Sequence, residues 1–384
     1  MRIATPAWVP ATGAARAVAL EVLLHGPISR SAIARTLDLS QGSLTRLSAP
    51  LIASGLLVEG DERAEGRAGR PTRPLDVIPS SRHFIGLKVT ADEVLGVRTD
   101  LRATVVARDA VALPARDPDA VADTIVALVR DLSADVSITA VGVGIGGRVG
   151  ENGVIRSAPF LEWEDVPLGA MLEARAGLPV VIDNDLVAFT EYEHWFGAGR
   201  DLDRFAVVTL GAGIGYGLVI NRQVIVDEDS GLGLVGHWPL DPFGPRCPAG
   251  HRGCAMSVLT ADAITGEVSS ALGRTVGYAE ALELAAAGDP AARRVIDDAG
   301  HGLGRLLAAI ANLTAPELVI LGGEGVGLVD VASEAIQEGL AADRDPRVRP
   351  LGLVTTSGDN IEWCRGAAVL AIQRHVLGDD LVQR

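Results

Sequence analysis

Val180-Val181-Ile182-Asp183-Asn184-Asp185 is the stretch on which the fold turns, a short β-branched run ending in three residues with fixed amide and carboxylate groups. β-branched residues favour strands, and open α/β sheets bind ligands beyond the carboxyl ends of their strands. Asp183-Asn184-Asp185 therefore reads as a ligand-facing strand end, with a turn or helix N-cap as the competing reading. Downstream, 205–210 and 216–220 read as two apolar strands joined by Gly211-Ala212-Gly213-Ile214-Gly215. Glycine tolerates positive φ, so such a turn lets backbone N–H groups approach an anion or a ring, although the same composition also makes a plain tight turn. Gly236-His237 and Cys247-Pro248-Ala249-Gly250-His251-Arg252-Gly253-Cys254 follow. They supply an imidazole and two thiols, the ligand types zinc prefers, one short of a four-ligand set.

Outward from this region the pattern is α/β. Strand-like runs at 84–89, 94–99 and 104–107 precede a helical stretch at 119–132 and a strand at 138–144. Near the other end, 289–312 carries Ala, Leu and Ile at helical spacing, and 318–321 is a buried strand ending in Gly322-Gly323.

The first 80 residues read differently. A helix at 14–24 is ended by His25-Gly26-Pro27, and Ser29 caps a second helix carrying Ile33, Ala34 and Leu37. After the turn at Asp38-Leu39, Ser40 caps a third helix with Leu44, Leu47 and Leu51 on one face. This is helix-turn-helix spacing, and Gln41, Ser43, Thr45 and Arg46 lie at the end of the third helix that reaches base edges in that motif. Pro50 removes an intrahelical hydrogen bond and is expected to kink or shorten this helix after its second turn. Short strands at 56–58 and 75–78 flank an Arg-rich segment that reads as a wing. Its Arg67-Ala68-Gly69-Arg70-Pro71 is compact, extended and basic, which suits a narrow minor groove; the alternative is a solvated linker.

A chain of 384 residues exceeds one ordinary core, so two or three domains are expected, here 1–80 and a two-lobed 81–384. Net charge is −15, which argues against coating nucleic acid over the whole surface. Yet residues 1–80 hold nine Arg against seven Asp plus Glu, or +2, leaving −17 for the rest. Three cysteines are too few for a disulfide framework, and no apolar run reaches membrane-spanning length, so a reducing cytoplasmic location away from membranes is expected.

The order of these motifs resembles the ROK family, which unites bacterial sugar kinases and sugar-responsive transcriptional regulators on an actin/hexokinase-like (ribonuclease H-like) fold. Gly142-Val143-Gly144-Ile145-Gly146-Gly147 before Ser157-Ala158-Pro159, and Asn312 to Gly323, extend the match over about residues 84 to 375. The resemblance implies that Asn184, Asp185 and His237 contact a sugar beside the Gly146-Gly147 backbone. It also implies zinc on His237, Cys247 and Cys254. Ala249 replaces the fourth ligand, a Cys, and His251 is the candidate to stand in for it.

Kinases of the family carry Asp-x-Gly-Gly-Thr on the first strand to hold ATP phosphates. Here those positions are Lys88, Val89, Thr90, Ala91 and Asp92, and Ala212 stands where the second phosphate loop has Thr. No ATP is therefore expected, no residue is assigned as catalytic, and Asp185, aligned with the family's base, becomes a hydrogen-bond acceptor for ligand. Leu234, Met256 and Phe160 replace polar sugar-binding positions, which predicts an altered effector such as a glycoside with an apolar part. Trp163 offers either a stacking face or a core side chain.

The expectation is a regulator, a repressor of carbohydrate-related genes, that binds operator DNA as a homodimer or homotetramer and answers to a sugar or glycoside. The rivals are a sugar kinase with an added N-terminal domain and a constitutive DNA-binding protein with a vestigial pocket.

Overall fold

The computed structural model describes residues 13–61, 73–134, 136–227, 229–230 and 233–378. Two compact units divide the chain, Met1–Phe196 with Ile361–Arg384, and Gly197–Asn360.

Three helices open the first unit: α1 (Gly13–His25), α2 (Arg30–Thr36) and α3 (Gln41–Ala53). The Ser29 hydroxyl accepts from Ala32 N at 3.2 Å and the Ser40 hydroxyl from Ser43 N at 3.1 Å, so both serines cap as their positions predict. Pro50 does not shorten α3, which continues to Ala53. Leu44 and Leu51 are buried on either side of the proline, and this packing outweighs one missing hydrogen bond. Strands β1 (Leu57–Glu59) and β2 (Leu75–Val77) pair antiparallel, Leu57 opposite Val77, and form the base of the wing. Arg67 and Arg70 lie outside the described residues.

The sheet that follows holds β3 (His83–Val89), β4 (Glu93–Thr99), β5 (Val105–Ala112), β6 (Ile138–Ile145) and β10 (Val180–Asn184), in the order β10-β6-β3-β4-β5. The first three neighbours run parallel, and β3-β4-β5 is an antiparallel meander. β3 is buried along almost its whole length, whereas the edge strand β5 is mostly accessible, which is why β3 reads as a continuous apolar run. Between β5 and β10 come α4 (Pro118–Leu132), a small sheet of β7 (Arg148–Val149), β8 (Ile155–Ala158) and β9 (Trp163–Val166), and α5 (Leu168–Ala176); α6 (Asp185–Trp195) follows β10.

The second unit repeats the theme. Strands β11 (Arg204–Leu210), β12 (Ile214–Ile220), β13 (Gln223–Val224), β14 (Leu318–Gly322) and β15 (Gly352–Thr355) stand in the order β13-β12-β11-β14-β15. Helices α7 (Ala255–Leu259), α8 (Ala261–Leu272), α9 (Tyr278–Ala286), α10 (Pro290–Thr314), α11 (Leu328–Val331) and α12 (Ser333–Ala342) complete it. Val295, Ile296, Leu303, Leu306, Leu307 and Ile310 give α10 the buried face its spacing predicts. The chain then returns to the first unit as α13 (Ile361–Ile372). No helix among the described residues is long and apolar enough to cross a membrane.

Within the first unit the helix-turn-helix is joined to the sheet by one apolar core. Val18 and Val22 of α1 share it with Phe84, Leu101, Tyr192 and Trp195 of the lobe and with Val369 and Ile372 of α13. Arg102, in the β4–β5 turn, donates to Leu23 O at 3.1 Å and Gly26 O at 3.0 Å and pairs with Asp76 of β2 at 2.6 Å. A cation is thereby placed at the C-terminus of α1, on the Leu23 carbonyl and on that of Gly26 just beyond the helix.

Candidate ligand and metal sites

β10 ends at Asn184 and α6 begins at Asp185, so a strand end and a helix N-terminus meet at one point. Asn184 Oδ1 accepts from Leu186 N at 2.9 Å and Val187 N at 3.2 Å, and Nδ2 donates to Gly147 O at 2.9 Å. The N-cap reading is what the Asn184 side chain does, and its amide also holds the end of β6 in place. Gly147 has φ +139 and a Cβ there would lie 2.1 Å from Ser157 O, so only glycine fits. A methyl group added at Gly146 would stand 3.5 Å from the Phe160 ring and 3.8 Å from Asp185 Oδ2, so these three residues border one space. Phe160 is 52% exposed there, whereas Trp163 is 4% exposed and donates through Nε1 to Arg116 O. Trp163 is therefore a core residue and Phe160 presents the apolar ring.

Lys88 lies at the same sheet end. Its ammonium is 3.2 Å from Asp185 Oδ2 and 3.4 Å from the centre of the Trp363 ring, which stacks on Phe189 at 4.8 Å. Asp185 Oδ1 accepts from Leu186 N at 2.9 Å. Each oxygen of the carboxylate therefore already has a donor within the protein. The turn after Lys88 is closed as well: Thr90 Oγ1 accepts from the amides of Asp92 at 3.3 Å and Glu93 at 3.1 Å. Those amides are not presented to a phosphate. The sequence showed the loss of glycine here, but not that a hydroxyl fills the gap.

In the second unit, His237 Nδ1 lies 3.7 Å from both Cys247 Sγ and Cys254 Sγ, and the three ligand atoms fall within 4.8 Å of one another. His251 Nδ1 is 3.7 Å from Cys247 Sγ, and its ring centre is 4.4 Å from that of His237. Burial raises the Cys247 thiol; hydrogen bonds from His251, Cys254 and the Ala249 backbone outweigh it and bring it down to about 7. The set can hold a metal ion of the kind that takes thiolate and imidazole.

At the helix-turn-helix, Gln41, Thr45 and Arg46 are exposed, while Ser43 is half-buried and bonded to Ser40. Thr45 Oγ1 donates back to Gln41 O at 2.9 Å, which leaves Gln41 and Arg46 as the longer reaching side chains of this end.

Comparison with known proteins places this architecture. The DNA-binding transcriptional repressor Mlc of Escherichia coli (strain K12) is 26% identical over 362 residues, covering 90% of this chain and 89% of Mlc. A glucokinase of Thermotoga maritima is 36% identical over 200 residues, covering 48% of this chain and 63% of the glucokinase. The crystal structure of a ROK family transcriptional regulator homologous to E. coli Mlc superposes with a TM-score of 0.81 at 23% identity, covering 95% of this chain and 97% of that one. The fold is therefore α/β, an N-terminal winged helix-turn-helix followed by a two-lobed actin/hexokinase-like domain. The model of the ROK family matches residues 84–374, and the chain belongs to that family.

Proposed function

We propose that this protein is a DNA-binding transcriptional regulator, a repressor of carbohydrate-related genes, that takes a sugar or sugar-like effector and transfers no phosphate. The observation that carries the reading is the pairing of a capped helix-turn-helix with a sugar-kinase-like sheet end where Lys88 ties up Asp185 and Thr90 closes the first phosphate turn. Residues 1–80 form the operator-binding domain, with Gln41, Ser43, Thr45 and Arg46 toward base edges and Arg67 and Arg70 of the wing toward the minor groove. Residues 81–384 bind effector and assemble a homodimer or homotetramer that works in the cytoplasm. Gly146 and Asp185 contact the effector, and Asn184 sets the geometry of that end.

Phe160, half-exposed beside Gly146, favours an effector with an apolar part over a bare hexose. The donor set of His237, Cys247 and Cys254 fits a structural zinc ion, with His251 in place of the ligand lost at Ala249. Such an ion would supply no chemistry beyond holding the 237–254 segment.

A DNase I footprint on DNA from the protein's own upstream region tests the reading, run beside an ADP-release assay with ATP and a panel of hexoses. A protected inverted repeat with no sugar-dependent ADP release is expected. Sugar-dependent turnover would overturn the regulator in favour of the kinase with an added domain.

A further inference from the structure

The glycine turn between β11 and β12 holds an anion, and the anion belongs to the chain itself. The Ala212 amide donates to Glu324 Oε1 at 2.8 Å, and a Cβ placed on Gly211 would lie 2.2 to 2.5 Å from the Glu324 carboxyl group. The carboxylate thus rests against the face of the turn that a glycine leaves open.

Its position follows from local backbone constraints. After β14 the chain runs Gly322-Gly323-Glu324-Gly325. Gly323 has φ +88, and a Cβ on it would come within 2.3 Å of Leu210 O, while Gly325 N donates to Leu210 O at 2.8 Å. Two backbones packed this closely at the end of β11 deliver the next side chain, Glu324, onto Gly211. Tyr278 fixes the other side by donating to Gly325 O at 2.7 Å.

We propose that Gly211-Ala212-Gly213 is a phosphate-type anion site whose ligand is Glu324, so that the chain carries its own substitute for an external phosphoryl group. An amide that receives a carboxylate at hydrogen-bond distance receives a phosphate oxygen by the same charge-assisted bond. While Glu324 is in place, a phosphate meets an occupied donor and a like charge. Once it is removed, the turn presents a free amide and the space that the carboxylate filled. This goes beyond the regulator reading and does not depend on it: the site would be masked in any protein with this geometry.

The test uses the full-length protein and titrates inorganic pyrophosphate calorimetrically into wild type, Glu324→Ala and the double variant Gly211→Ala/Glu324→Ala, with thermal melts as folding controls. Glu324→Ala should bind pyrophosphate at least about tenfold more tightly than wild type. The double variant should lose that gain, because its new methyl group enters the space the carboxylate left. ADP in place of pyrophosphate separates a bare phosphate site from a nucleotide site: the same gain with both probes places the contact on the phosphates. A folded Glu324→Ala without the gain, wild-type binding equal to the variant's, or a gain that survives Gly211→Ala would overturn the proposal. DNA binding followed on the same samples reports separately on the regulator reading.

Discussion

Lys88 changes the meaning of its neighbours. An acidic residue at this strand position would leave Asp185 unpaired beside a phosphate turn; an ammonium at 3.2 Å makes the carboxylate half of a largely buried ion pair. The sequence displayed the replacement, since Lys88, Thr90, Ala91 and Asp92 stand where the glycine-rich motif would be. It did not display the partners, because Asp185 is 97 residues from Lys88 and Glu324 is 112 residues from Ala212. Contacts over such separations are made by sheet topology and leave no local pattern. Asp185→Ala should abolish the effector's influence on operator affinity while leaving effector-free DNA binding unchanged. A normal response from that variant, followed by anisotropy, would move the ligand elsewhere.

Elements were more legible than their contacts. The helix starts at Ser29 and Ser40, the meander from β3 to β5 and the long α10 follow from caps and periodicity, which act over a few residues. β5 runs on to Ala112, well past 107, because pairing with β4 carries the edge strand through Arg108 and Asp109, which interrupt the apolar run. The helix through Pro50 is likewise decided by packing. At the metal loop, the ligand types were readable and their convergence was not. Zinc at one ion per chain by mass spectrometry is expected, falling in His251→Ala. Because zinc takes thiolates and displaces their protons, and the Cys247 thiol is brought down to about 7, affinity should fall as pH drops below that value; a pH-independent affinity would remove the thiols from the ligand set. On the wing, Arg70→Ala should weaken operator binding and reduce the magnitude of the log–log salt slope by about one. An unchanged slope would leave the wing outside the DNA contacts.

At the scale of the first unit, α6 is a short rod with Asp185 at one end and Tyr192 and Trp195 at the other, packed in the core shared with Val18 and Val22 of α1. Under the proposed function, a shift of α6 on ligand binding at Asp185 would reach the N-terminal helices through these close-packed side chains, provided the ligand favours one of two arrangements. Arg102 is the polar counterpart of this joint. Arg102→Ala removes its bonds to the Leu23 and Gly26 carbonyls and to Asp76 and should destabilise the protein by about 1.5–3 kcal/mol in urea unfolding. It should also flatten the effector response; a destabilised variant with a full response would place the coupling in the apolar core alone.

If one chain binds operator DNA and changes its hold on taking a sugar-like ligand, fluorescence anisotropy on labelled upstream DNA at about 0.15 M salt, with and without a panel of sugars, glycosides and sugar phosphates, will register both events. Sequence-specific binding whose affinity one compound shifts at least about tenfold is the predicted result, equivalent to about 1.4 kcal/mol of coupling. Specific binding that no compound alters would contradict ligand control and leave a constitutive DNA-binding protein, and binding no tighter than to unrelated DNA would contradict the regulator itself.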